Sequence, residues 1–169
     1  MRLAVARIDS PIGPLALAVD AEGRLRGVSF GESLGSAMRR EYGDVDMLAG
    51  DAPASMGQAI GRYFEGERSA LEAIDWSLEG AAGESGFQAR VWRALAEVPA
   101  GQTISYGEMA RRAGEPGAAQ AAGVALNRNP IPLVLACHRV VGADGAMVGF
   151  GGGLERKTWL LRHEGALLI

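Results

Sequence analysis

Thiol and imidazole groups are scarce in this chain of 169 residues: one cysteine, Cys137, and two histidines, His138 and His163. A single cysteine excludes an internal disulfide and fits a reducing compartment, so a cytoplasmic location is expected. One Cys and two His are too few for an ordinary structural zinc site, so neither a metal nor a cofactor is expected. No apolar run approaches the length that crosses a bilayer, and Arg2 and Asp9 interrupt the N-terminal segment, so neither a signal peptide nor a membrane partner is expected. The glycine-rich run Gly149-Phe150-Gly151-Gly152-Gly153 lacks the Gly-Lys-Ser/Thr ending of a phosphate-binding P-loop. The 25 glycines are scattered rather than periodic, which excludes a collagen-like or low-complexity chain.

What remains is enough for a core, since 48% of the residues are hydrophobic. The net charge of −3 argues against nucleic acid until the chain is divided. Residues 1–83 carry 8 basic and 13 acidic side chains, whereas residues 84–169 carry 9 basic and 7 acidic. The basic excess is modest, but it lies in the half that holds the cysteine.

Taken in order, residues 2–8 read as a strand, Ser10 to Pro14 as a turn, and Leu15 to Val19 with Leu25 to Phe30 as a hairpin closed at Asp20-Ala21-Glu22-Gly23. Gly31 to about Ala54 is irregular, with a helix around Ser36 to Tyr42. Met56, Ile60 and Phe64 recur at helical spacing and predict a helix over 56–64. Residues 1–80 thus form a small α/β domain. A Gly/Ala/Glu-rich boundary at 78–85 separates it from a second domain, 84–169. Phe87 to Ala96 is a helix with Phe87, Val91, Trp92 and Leu95 on its apolar stripe. Ser105 and Glu108 form a capping box for a helix that ends near Ala113, with Gly114 at C′. Glu115-Pro116-Gly117 turns the chain into a second, small-sided helix, 118–126, in which Gln120 is the one long polar residue. This pattern suits a helix-turn-helix or an ordinary helical hairpin.

The stretch Pro130 to Gly142 organises the second half. Ile131 to Ala136 reads as a short buried strand, after which Cys137, His138 and Arg139 interrupt the apolar pattern. Three consecutive polar side chains in a buried segment cost free energy unless each is paired. Cys137 is either an inert buried thiol or a nucleophile served by its histidine neighbour. On a strand, residues 137 and 138 point to opposite faces, so proton transfer would need a turn or a bridging water. In the last helix, 154–164, Leu154, Lys157, Leu160, Leu161 and Glu164 share one face. That turns Glu164 inward at a helix C-terminus, where an acid is disfavoured. It is either a frayed surface carboxylate or the partner of a histidine.

With these residues in hand, the chain resembles the O6-alkylguanine-DNA alkyltransferases, in the two-domain bacterial form without an N-terminal zinc site. The likeness rests on Cys137-His138-Arg139-Val140. Phe87-Gln88 with Val91-Trp92, Ile104-Ser105-Tyr106-Gly107, Asn127-Arg128-Asn129-Pro130, Gly151-Gly152-Gly153-Leu154 and Arg162-His163-Glu164-Gly165 support it. The resemblance implies an α+β fold, with a ribonuclease-H-like N-terminal domain and a winged-helix-like C-terminal domain. It implies DNA repair by a single-turnover methyltransferase: an alkyl group passes from guanine O6, with thymine O4 a further position, to Cys137 after the base is flipped out. His138 would act as base through a water, Glu164 would orient it, Asn129 would brace the turn, and Tyr106 would crowd the phosphate. Ala118, Ala119, Gln120, Ala121, Arg128, Arg139, Gly151 and Gly152 would meet the DNA. The partner would be double-stranded DNA carrying O6-alkylguanine, met by a monomer. This chain has Gln120 where the family has an intercalating arginine, and Ala136 where it has a proline. A non-catalytic lesion sensor and an alkylation-sensing regulator are the alternative functions.

Overall fold

A computed structural model describes residues 1–169 apart from Glu32, Ser85, Val148, Gly151 and the last three, 167–169. It is a mixed α+β structure that divides into two compact units: Met1–Ala82 with Pro130–Val134, and Gly83–Asn129 with Leu135–Ile169.

The first unit is built on a four-stranded sheet, β1 (Arg2–Ile8), β2 (Leu15–Val19), β3 (Leu25–Ser29) and β4 (Asp46–Ala49), in the order β3-β2-β1-β4. The first three strands are antiparallel, and β4 runs parallel to β1. β4 lies in the stretch that the sequence leaves irregular, because its four residues are mostly exposed and carry no alternating apolar signal. Helix α1 (Leu34–Tyr42) lays Leu34 and Met38 on Leu3, Ala16 and Ala18. Gly27 permits this approach, since a side chain there would collide with Met38. In α2 (Ala54–Phe64) Met56 and Ile60 are buried as the spacing predicts, but Tyr63 rather than Phe64 completes the buried face. Buried Asp20 ties the hairpin together by accepting from Arg24 Nε (2.9 Å) and Arg26 Nε (2.8 Å).

The second unit opens with α3 (Phe87–Leu95), whose Val91, Trp92 and Leu95 are fully buried. Each such side chain contributes roughly 1.5–3 kcal/mol. Trp92 Nε1 donates to Ala125 O at 2.8 Å, and so fixes α3 against α5 (Ala119–Asn127). Between them, β5 (Ile104–Ser105) leads into α4 (Tyr106–Arg112), where the Ser105 hydroxyl accepts from the Glu108 N–H at 3.0 Å. The Glu108 carboxylate turns to Arg111 instead of completing a capping box. The left-handed Gly114 (φ 91°) then ends the helix, as expected of a C′ glycine.

Two expectations are corrected here. The strand from Ile131 to Ala136 does not form. Pro130 and Pro132 supply no N–H, and Leu133 adopts φ 75°, which no strand residue does. Pro130–Val134 instead joins the first unit, where the Val28 N–H donates to Pro130 O at 2.9 Å. Residues 84–169 are therefore not one continuous body. Beyond this detour lie a 3-10 turn, Cys137–Arg139, a two-residue strand β6 (Val140–Val141) parallel to β5, and α6 (Leu154–His163).

Candidate active site

The 3-10 turn resolves the geometric difficulty of adjacent Cys and His. Its N–H groups fold back, Cys137 to Leu135 O (2.8 Å) and Arg139 to Ala136 O (3.1 Å), so residues 137–139 are not forced onto alternating faces. All three side chains are buried. Pairing of Ile104 with Val140 and Ser105 with Val141 sets the turn beside the start of α4, where Tyr106 stands half-buried.

Helix α6 closes the site from the other side. Lys157, Leu160, Leu161 and Glu164 are buried as the helical spacing predicts, whereas Leu154 at the first turn is 49% exposed. Glu164 Oε2 lies 2.8 Å from His138 Nε2, with both side chains out of contact with solvent. His138 Nδ1 has no hydrogen-bond partner among the described residues, and the ring meets Phe150 edge-on at 6.3 Å. Burial lowers the His138 pKa against the pull of Glu164, with Arg139 and Lys157 lowering it further. Burial would raise the Glu164 carboxyl, but His138 and Arg139 outweigh it and hold it well below the usual carboxylate range. The pair at rest is therefore a neutral imidazole beside a carboxylate.

Cys137 is pushed up to about 11 by burial, against a hydrogen bond from the Asn129 side chain and the positive charge of Lys157. Asn129 Nδ2 also donates to Leu135 O at 2.7 Å, bridging the excursion of residues 130–134 and holding the two ends of the detour together. Tyr106 is raised by its own burial and by the charge of Cys137, which marks it as a neighbour of the sulfur.

Lys157 is the residue that sequence reasoning placed correctly on the inward face but gave no role. It is fully buried, and its Nζ donates to Val140 O at 2.7 Å and Gly149 O at 3.2 Å. The signal was available, because it is the single lysine in the chain.

The structure thus brings Cys137, His138, Glu164, Asn129 and Tyr106 together. The residues expected at DNA divide. Gln120 and Ala121 are exposed on α5, Ala118 and Ala119 are half-buried at its start, Arg128 caps its C-terminus half-buried, and Gly152 is half-buried. Gly151 lies outside the described residues. Arg139 is not at the surface: it is buried, and its guanidinium grips Glu164 and Val98 O, which is a correction to its expected DNA contact. Among the described residues, no group of His, Cys, Asp and Glu could hold a metal ion, and no helix is long and apolar enough to cross a membrane.

Residues 86–166 match the family model described as 6-O-methylguanine DNA methyltransferase, DNA binding domain. The methylated-DNA–protein-cysteine methyltransferase of Salmonella typhimurium is 40% identical over 175 residues, covering all of this chain and 99% of the relative. The crystal structure of Mycobacterium tuberculosis O6-methylguanine methyltransferase superposes with a TM-score of 0.77 at 38% identity, covering 96% of this chain and 93% of that one. Mycobacterium tuberculosis OGT in complex with DNA superposes with a TM-score of 0.76 at 37% identity, covering 98% and 93%. Identity of this order along the full length, around one buried Cys-His-Glu arrangement, means that the chain belongs to the methylated-DNA–protein-cysteine methyltransferase family.

Proposed function

We propose that this protein repairs DNA by moving an alkyl group from guanine O6, with thymine O4 a further position, onto Cys137. The observation that carries the reading is the buried His138–Glu164 pair next to buried Cys137, in which His138 Nδ1 has no hydrogen-bond partner among the described residues. A thiol held at about 11 is protonated at neutral pH. Ionising it there costs roughly 5 kcal/mol, so an adjacent base is needed. His138 Nδ1 takes the thiol proton through a water, and Glu164 stabilises the imidazolium. The thiolate attacks the alkyl carbon in line. The S–C bond forms, the C–O6 bond breaks, and its electron pair stays on the guanine, which regains a proton at N1. The proton released by sulfur therefore matches the one the base takes up. The thioether is not reversed by thiol exchange, so each molecule acts once.

The target atom is inaccessible inside a stacked duplex, so the nucleotide must be flipped out. The exposed Gln120–Ala121 edge of α5 suits the groove, Tyr106 crowds the phosphate, and Asn129 couples the end of α5 to the cysteine turn. We read the first unit as ribonuclease-H-like and the α4–α5 pair with β5 and β6 as winged-helix-like, in a protein that meets double-stranded DNA as a monomer.

The test is an intact mass after incubation with an O6-methylguanine duplex, for wild type and Cys137→Ala. Wild type should gain one methylene and the variant none, while both bind the duplex. Binding without any mass gain in the wild type would favour a lesion sensor and overturn the reading.

A further inference from the structure

Arg139 occupies a position that the alkyl-transfer reading does not use. Its Nε donates to Glu164 Oε1 at 2.9 Å and its Nη2 to Oε2 at 2.9 Å, a two-pronged grip on one carboxylate. Its Nη1 donates to Val98 O at 2.6 Å, just beyond the end of α3. The guanidinium is thus anchored behind and engaged in front, with little freedom to turn. His138 Nε2 shares Oε2 with it. A buried carboxylate needs one positive charge to offset its burial. Arg139 supplies that charge permanently, so Glu164 does not need a proton on His138 to be tolerated.

We propose that Arg139 is a positioning residue that keeps the His138–Glu164 pair in its proton-accepting form, so that the pair meets every lesion with His138 neutral. The proposal rests on the alkyl-transfer reading above, since only a base has to be kept unprotonated. Among the described residues, the charged and aromatic groups around the imidazole come from three elements. Glu164 and Lys157 face it from α6, Arg139 from its own turn, and Phe150 from the glycine-rich loop. Glu164 alone favours the imidazolium; burial, Arg139 and Lys157 oppose it. Removing Arg139 deletes an opposing cation and leaves Glu164 without its permanent counter-charge. Both changes act in one direction, toward proton uptake by the pair at higher pH. A pair that already holds a proton cannot receive the one from Cys137.

The experiment follows the ring-nitrogen chemical shifts of His138 by NMR as the free protein is titrated from neutral to acidic pH. A His163→Gln background leaves one imidazole to observe. Arg139→Met is compared with the parent, and Arg139→Gln, which keeps a hydrogen-bond donor, serves should the first variant fail to fold. Loss of the cation should raise the midpoint by about one pH unit. The acid limb of the single-turnover transfer rate should move up with it. An unchanged midpoint in a folded variant overturns the proposal and leaves Arg139 a strut between Val98 and Glu164. The titration involves neither DNA nor alkyl transfer, so it can fail while the mass gain on Cys137 stands, and the reverse.

Discussion

Gln120 stands exposed near the start of α5, on a face it shares with exposed Val124 and Asn127. A side chain that fills the gap left by a flipped base must offset unstacking of a few kcal/mol. Glutamine brings shape and hydrogen bonding but no charge. Gln120→Arg is therefore expected to speed transfer on duplex substrate, with a smaller gain on single strands, which are already unstacked. The salt dependence of binding should steepen by about one phosphate contact. Single-turnover rates on both substrates at two salt concentrations check this; equal rates for wild type and variant on duplex would remove residue 120 from the stack. Glu164 makes the second prediction at this scale. Glu164→Gln loses the anion that stabilises the imidazolium, and transfer should slow by about 10- to 1,000-fold. A rate unchanged within error would reduce the carboxylate to packing. The inward turn of Glu164 was legible in the sequence, because helical spacing puts it on the face of Leu160 and Leu161, and its burial removes the alternative of a frayed surface carboxylate. The burial of Arg139 was not, since a cation beside Cys137 and His138 reads equally well as a phosphate ligand until Glu164 and Val98 are brought to it by α6 and α3.

At the level of elements, the helices were the readable part. The apolar spacing of α2 and α3, the Ser105 cap and the Gly114 stop are local signals, and they survive in the structure except at Phe64 and Phe87, which are only half-buried. The cysteine segment was misread for a reason the sequence does display. The apolar run from Ile131 to Ala136 mimics a short buried strand, but the prolines at 130 and 132 remove two ladder donors, and the left-handed Leu133 then turns the chain. Holding a leucine there costs about 1–3 kcal/mol, offset by burial of its side chain and by the Asn129 bridge across the detour. The cap of α4 carries its own prediction. Ser105→Ala removes the acceptor for the Glu108 N–H and should destabilise the protein by about 1 kcal/mol. Because β5 and the first turn of α4 hold Tyr106 beside the cysteine turn, transfer on duplex should fall as well. Urea denaturation and single-turnover rates measure the two effects, and a loss of stability with an unaltered rate would separate the cap from the site.

For the molecule as a whole, the acidic and basic halves have different tasks. The first unit spends its charges on itself, as around Asp20, Arg24 and Arg26, and the second holds the buried ionic group at the cysteine. That group sets the acid stability. Glu164 has a lowered pKa in the folded state, so its stabilisation is present above the unfolded carboxylate range and is lost as pH falls through that range toward its folded value. His138 is also lowered, so the folded state resists the proton that the unfolded chain accepts below about 6.5. Stability should therefore decline from mildly acidic pH downward, and Glu164→Gln should flatten the lower part of that decline. Denaturation midpoints across the acidic range would show it; an identical pH profile for the variant would contradict the assignment. The central claim is that one buried sulfur accepts one alkyl group and then stops. Its most direct measurement titrates limiting protein with excess O6-methylguanine duplex and maps the product by peptide mass. The account predicts that repair ends at one lesion per protein molecule, with the methyl group on Cys137 alone. Continued turnover, or a methyl group on any other residue, would contradict it.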